Sequence, residues 1–503
     1  MLILFTHCIL SGRFTARGDN LESSYRKFAK DILVMGVANA LVALSGIILL
    51  SVITKTLGAY DYGIWAQAQV TISLVLGFVG LGLPYAMTRF LPAKTDRGEI
   101  QEEFWSVFCL VFLAALIGSI IMIAGADFIA GAFFEGATQI VIITGLIILV
   151  WSLDMVLLGL YRSFRQMRRY SIFVVADAYG QIGIIAYLVL NGYGVLSMVL
   201  AVLAIRIVIF IILFFLVRHQ VGIRKPHFSR IREYLSFSLP TIVGNVANWV
   251  VTSSDRYVIG YFLGAASVGA YSVADRLGSP LLMIIGVLGF VLPPTLSKLY
   301  DEGRMEEVRV HLDYSLKYAL ALAIPFVCGA TILAKPVLRL FSTPEIASQG
   351  YLVLPVVALS TAVFVSGGVI NHIIILVKKT KVSGMAWAVA AAVNLGLNIL
   401  VVPYWGILGA AITTLIAYSV AEAIQLRCSF REFKFSIDWR FIIKSLIASA
   451  IMSVAVWKMA PEGTSATIVT IIAGVAIYGV VLILLRGFKK EEFRFFWGLF
   501  QRN

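Results

Sequence analysis

The chain has 503 residues, of which 60% are hydrophobic and only 14% charged, with a mean hydropathy of +0.92. A soluble domain carries about 25% charged residues, so a chain this apolar has too little polar surface to fold in water and reads as an integral membrane protein. The net charge of +14 sits in the segments between apolar runs, which points to loops facing anionic lipid and away from a nucleic-acid partner.

In chain order, the first 30 residues hold one short apolar run, 2–10. No basic region precedes it and no small-residue cleavage site follows, so it is not read as a signal peptide. Residues 1–30 are taken as a cytosolic tail. A span needs roughly 20 mostly apolar residues, and fourteen segments meet that need. They lie near 32–54, 62–86, 104–124, 138–160, 171–190, 194–217, 233–259, 267–292, 313–334, 350–376, 382–401, 404–426, 441–459 and 465–485. When the segments are placed on alternate sides from a cytosolic N-terminus, most of the 41 Lys and Arg residues fall on the inner side. Lys55, Lys335, Arg339 and Lys458 fall outside or at the outer edge. That asymmetry predicts an even number of crossings and both termini in the cytosol, in the cytoplasmic membrane. The longest outer loops, 125–137 and 335–349, leave no room for a soluble domain.

The chain repeats itself. LGAYDYGIW (57–65) aligns with LGAASVGAY (263–271), and GLGLPYAMTRF (80–90) with GFVLPPTLSKL (289–299). RRYSIF (168–173) and YGVLSMVLA (193–201) align with TKVSGM (380–385) and WGILGAAIT (405–413). The offset stays close to constant, so the chain is read as a duplication. Each copy holds six spans, and an even number makes the copies parallel repeats about the membrane normal. The expected organisation is a first lobe over 31–217, a linker over 218–232 and a second lobe over 233–427. A linker over 428–440, two further helices over 441–485 and a cytosolic tail over 486–503 complete it.

A charge near the bilayer centre costs about 3 kcal/mol on insertion scales and usually meets a partner or a cavity. In span seven, Thr241, Asn245, Asn248, Thr252, Asp255 and Arg256 recur at spacings of three and four, on one helix face. In span eight, Asp275 and Arg276 are adjacent and point about 100° apart. Cavity lining and helix-to-helix hydrogen bonding both fit the asparagines; for Arg276 the favoured role is holding an anion. Arg206 in span six is expected to pair with Asp177 and Gln181, and Asp154 with Arg162 or Arg165. Asn394 and Asn398 form one polar stripe, and Thr414, Tyr418, Glu422 and Gln425 another. Gly260, Gly264 and Gly269 are expected to bring backbones close.

Neither a G-x-x-x-x-G-K-[ST] nor an H-E-x-x-H nor a G-x-S-x-G motif occurs, so no ATP-driven pump and no enzyme is read here. Cys8, Cys109, Cys328 and Cys428 are dispersed, so neither a metal site, a redox pair nor a disulfide is expected. No cofactor is expected.

KTLGAYDYGIW (55–65), FSLP (237–240), DRYVIGYFLGAASVGAY (255–271) and LPPTLSK (292–298) resemble the polysaccharide-export flippases of the multidrug/oligosaccharidyl-lipid/polysaccharide exporter superfamily. The resemblance implies an all-α polytopic fold of 14 transmembrane helices. Two six-helix lobes would form a V with alternating access, and two helices would follow. It implies a substrate made of an oligosaccharide on a polyprenyl or dolichyl (pyro)phosphate. Membrane lipids would be a second partner, alongside a polysaccharide polymerase or glycosyltransferases. YSVADRLGSP (271–280) also resembles the peptidoglycan lipid-precursor flippases, whose pyrophosphate-binding Arg maps onto Arg276. Their Glu three residues on maps onto Ser279, and Asn39 and Ser45 stand in span one where those relatives use arginine. The expected cavity set is therefore Arg276, Arg256, Asn245, Asn248, Asp275 and Asn39. Two alternatives are a multidrug or organic-cation antiporter of the same superfamily and a non-transporting subunit of a polysaccharide-synthesis complex.

Overall fold

A computed structural model describes residues 19–433 and 438–488, with side chains from residue 34 except those of Val287, Phe290, Val291 and Pro294. Much of the expected N-terminal and C-terminal tails, and part of the 428–440 linker, lies outside the described residues. Within them the regular structure is seventeen α-helices and two short 3₁₀ turns. In order these are α1 (Asp19–Val79), α2 (Leu83–Phe90), α3 (Arg97–Ala124), α4 (Ala126–Phe133), α5 (Thr138–Ser163) and α6 (Met167–Leu190). Then follow α7 (Val195–Val221), α8 (Ile231–Leu263), α9 (Ala265–Gly278), α10 (Leu282–Asp301), α11 (Met305–Ile332) and α12 (Ala334–Phe341). The last are α13 (Pro344–Gly350), α14 (Val353–Leu376), α15 (Thr380–Glu432), α16 (Trp439–Met459) and α17 (Thr464–Leu484).

Ten of the described helices are long and apolar enough to cross a membrane. Two are far longer than one crossing. α1 has 61 residues and α15 has 53, against roughly 20 for a single span. Each is broken by a glycine. Gly58 takes φ 85°, ψ −167° and Gly406 takes φ 61°, ψ −149°, conformations that a residue without Cβ adopts at little cost. Gly264, the repeat partner of Gly58, takes nearly the same conformation between α8 and α9, at φ 80°, ψ 174°.

Two expectations need correction. Span eight is not continuous over 267–292: it stops at Gly278 and resumes at Leu282. Pro280 has no N–H to carry the helical ladder, and the Ser279 hydroxyl turns back to the Asp275 carbonyl at 2.6 Å. The segments 125–137 and 335–349 are not plain loops. They fold into α4, α12 and α13, and α4 and α12 begin at Ala126 and Ala334, near the offset of the repeat.

Packing divides the chain into two compact units, with the boundary between Ser272 and Val273, inside α9. The unit of residues 31–272 has a core of α2, α3, α5, α7 and the start of α8, centred on Leu83, Met87, Phe104, Leu157, Leu213 and Tyr234. α8 thus packs with the elements that precede it. The unit beyond Val273 centres on Leu292, Leu296, Leu312, Leu316, Val365 and Val369 of α10, α11 and α14. α16 and α17 dock on α11 through Phe441, Ala448 and Leu482 around Ala321, and the Tyr478 hydroxyl donates to the Ala321 carbonyl at 2.8 Å.

Candidate functional site

Within apolar helices, the informative distinction is between charges already neutralised and charges left open. Consider first the unit of residues 31–272. Arg206 on α7 is 4% exposed. Its Nη2 lies 2.8 Å from Asp177 Oδ2 on α6, and its Nη1 lies 3.7 Å from Asp154 Oδ2 on α5. Its guanidinium sits 3.5 Å over the Trp151 ring centroid, and Gln181 donates to Asp177 at 3.0 Å. The expected pairing with Asp177 is present. Asp154 differs from expectation: it faces Arg206, because Arg162 and Arg165 lie two turns or more further along the chain. Three helices are thereby joined around one buried cation.

Arg256 is also neutralised. Its Nη1 lies 2.9 Å from Asp255 Oδ1 and donates to the Thr252 carbonyl at 3.0 Å, and its guanidinium lies 5.5 Å from the Tyr271 ring centroid. The Tyr271 hydroxyl donates to the other Asp255 oxygen, which ties α8 to α9. On the same α8 face, Asn248 is half-buried and Asn245 exposed. Asn39 on α1 is exposed as well.

α9 is held to α1 by a reciprocal crossing. A Cβ built on Gly63 would fall on the Ala265 carbonyl oxygen, and one built on Gly269 would fall on the Ala59 carbonyl oxygen. Gly63 and Gly269 are partners in the repeat, as are Ala59 and Ala265. The duplicated LGA-x-x-x-G segments therefore pack on each other backbone to backbone, as small residues permit. Glu135, before α5, accepts from the Ala265 N–H at 2.6 Å and caps α9; its negative charge suits a helix N-terminus.

In the unit beyond Val273, Arg276 occupies the last turn of α9. It is exposed, and among the described residues it makes no hydrogen bond or ion pair. Asp275 beside it is half-buried. The chain must bend directly after this turn. Gly278 is pressed on α14: a Cβ there would come 2.8 Å from Val357 Cγ1 and 3.1 Å from the Leu354 carbonyl oxygen. The close approach and the break at Pro280 hold the end of α9 in place while the guanidinium stays open.

The polar stripe of α15 is internal glue. Asn398 donates to Asn394 at 3.2 Å, Thr413 to Asn398 at 2.6 Å and Asn394 to Thr414 at 3.3 Å, with both asparagines fully buried. Lys317, a cation within a span to which the sequence assigns no role, is buried among Tyr314, Phe441 and Phe488, 4.9 Å from the Phe441 centroid. Sequence reasoning also missed Glu103, which accepts from the Tyr234 hydroxyl at 2.6 Å and meets Lys94 and Arg230. Lys317 stands inside an apolar span, four residues after Asp313, whereas Glu103 closes an acidic run with Glu99 and Glu102 at the head of α3. The partners Phe441 of Lys317 and Tyr234 of Glu103 lie more than a hundred residues away.

Residues 52–345 match the family described as polysaccharide biosynthesis protein. The probable flippase AglR of Haloferax volcanii is 22% identical over 472 residues, covering 93% of this chain and 98% of AglR. The probable low-salt glycan biosynthesis flippase Agl15 of the same organism is 21% identical over 280 residues, 54% of this chain and 58% of Agl15. Among solved structures, the lipid II flippase MurJ in an inward closed conformation shares the fold at a TM-score of 0.73 and 18% identity, over 90% of this chain and 99% of that one.

Proposed function

We propose a function from one premise: the chain belongs to the polysaccharide biosynthesis protein family, which it matches over more than half its length. It flips oligosaccharide units linked to a polyprenyl or dolichyl (pyro)phosphate across the cytoplasmic membrane, for surface polysaccharide or glycan assembly. The observation that carries this reading is Arg276. A sugar–phosphate headgroup cannot cross about 30 Å of hydrocarbon unaided. Its passage needs a cation that the protein has not already neutralised. Arg206 and Arg256 are held by carboxylates; Arg276 is exposed. A guanidinium presents a planar fork of donors that matches phosphate oxygens. Asp275 holds the position beside the cation. The lipid tail stays in the bilayer.

An organic-cation antiporter would need an acid free of counter-charge in the first six spans. Asp154 and Asp177 there share Arg206, which favours the anionic substrate. In this reading both termini face the cytosol, and polymerase or glycosyltransferases act alongside. The test is headgroup translocation in proteoliposomes carrying a lipid-linked oligosaccharide. Arg276→Ala is expected to lower the rate by tenfold or more and Arg276→Lys to restore part of it. Full translocation by a correctly folded Arg276→Ala protein overturns the assignment.

A further inference from the structure

In the unit of residues 31–272, α1 and α8 share a face that is both polar and aromatic. The Trp249 indole N–H donates to the Ser73 hydroxyl at 2.9 Å. The Thr71 hydroxyl donates to the Gln67 carbonyl at 2.8 Å, so the Tyr257 hydroxyl, 2.7 Å from it, donates to Thr71. The Tyr257 ring lies beside the indole, with 5.9 Å between centroids and the planes tilted by 59°. One helix thus fixes the edge of the indole and a second ring braces it, while Trp249 itself stays only half-buried.

Amides surround this ring. Asn245 is exposed, and Asn248 and Gln69 are half-buried. Among the described residues none of these three side-chain amides makes a hydrogen bond. Residues four apart share a helix face, so Asn245 accompanies Trp249 on α8 and Gln69 accompanies Ser73 on α1. Trp249 stands near the middle of α8, which has 33 residues. An open amide at that depth has no partner among lipid tails and is costly there, so this face meets water or a polar ligand. The composition of α8 agrees: the helix is long enough to span, yet is not among those apolar enough to do so.

We infer that this face is a sugar-binding subsite, in which Trp249 is the plate for one pyranose ring and Asn245, Asn248 and Gln69 take its hydroxyls. A pyranose has a C–H face that stacks on an aromatic ring, and a rim of hydroxyls that both donate and accept. A side-chain amide matches that rim, because its carbonyl accepts and its NH₂ donates. Aromatic surface with a few placed polar groups is the usual lining of a small-molecule site. The charges of α8 nearest in sequence, Asp255 and Arg256, pair with each other, which suits a neutral ring better than an organic ion. The ligand class rests on the flippase reading above; the subsite adds the residues that tell a glycosylated carrier from a bare one.

The test is equilibrium binding by the purified full chain in nanodiscs. The two probes are a radiolabelled polyprenyl pyrophosphate and the same carrier bearing a hexose disaccharide. The unaltered protein should hold the glycosylated probe about tenfold more tightly. Trp249→Ala should cut that preference to about twofold or less, and Trp249→Phe should keep most of it. Asn245→Ala, at an exposed position where folding is not at stake, should lower the preference about threefold. Arg276→Ala should weaken both probes alike, which separates loss of the phosphate contact from loss of the sugar contact. Equal affinity of the unaltered protein for the two probes overturns the subsite and leaves the flippase reading standing. So does an unchanged preference in Asn245→Ala, or in Trp249→Ala with an unaltered unfolding midpoint. Binding of neither probe overturns the flippase reading and the subsite with it.

Discussion

The reciprocal glycine crossing of α1 and α9 makes a quantitative prediction. A methyl group at Gly63 would lie 2.6 Å from the Ala265 carbonyl carbon and 3.0 Å from the Gly269 nitrogen. At Gly269 it would lie 2.9 Å from the Ala59 carbonyl carbon and 3.1 Å from the Gly63 nitrogen. Non-bonded carbons settle at about 3.5–4.0 Å. Every obstacle named is backbone, so no rotamer change relieves the overlap, and the helices must separate by about 1 Å. Overpacking of this kind costs about 1–3 kcal/mol, and that is the expected loss for Gly63→Ala or Gly269→Ala alone. One separation relieves both overlaps. The second alanine therefore meets a crossing already opened, and the double variant should lose less than the sum of the singles by about 1 kcal/mol or more. The assay is an unfolding titration in mixed micelles on the four proteins of the cycle. Gly58→Ala is the control: nothing lies within 4 Å of its Cβ, but its φ is +85°, so its cost is backbone strain and should add to that of either crossing variant. Additive losses at Gly63 and Gly269, or no loss at either, would refute the direct backbone contact.

Two further outcomes follow from the packed charges and the bend after α9. Arg206→Met leaves buried Asp154 and half-buried Asp177 without their cation, and should destabilise by about 3–5 kcal/mol; replacing all three with apolar residues of similar size should recover most of that loss in the same unfolding assay. Gly278→Ala should depress both stability and translocation by driving the end of α9 off α14, and Val357→Ala should rescue it, because the nearest obstacle is the Val357 side chain.

Much of the fold could be read from the chain because a bilayer enforces simple rules. Apolar run length set the helices, and the repeat located partner segments such as 57–65 and 263–271. Gly58 and Gly264 break helices in the gaps expected between spans, at 55–61 and 260–266, and Gly406 stands two residues into the twelfth expected span. What could not be read was a break inside an expected span. The interruption at 279–281 had a visible cause in Pro280, but prolines also occur inside helices here, at 240, 325 and 403.

The candidate site was legible in kind more than in role. Arg256 and Arg276 belong to one motif-rich stretch, and residue type alone gives them equal standing as phosphate ligands. Their surroundings separate them. Arg256 follows Asp255 on a continuous helix and lies near Tyr271, whose hydroxyl holds the same carboxylate. Its charge is neutralised inside one unit and ties α8 to α9. Arg276 follows an acid too, yet its helix ends two residues later, at a glycine that must touch α14. That bend fixes the backbone of the last turn while leaving its guanidinium uncommitted. A substrate cation needs both properties, since a mobile arginine loses entropy on binding and a paired one must first give up its partner. On that physical ground Arg276 differs, among the described residues, from Arg206 and Arg256, whose charges are already met by carboxylates.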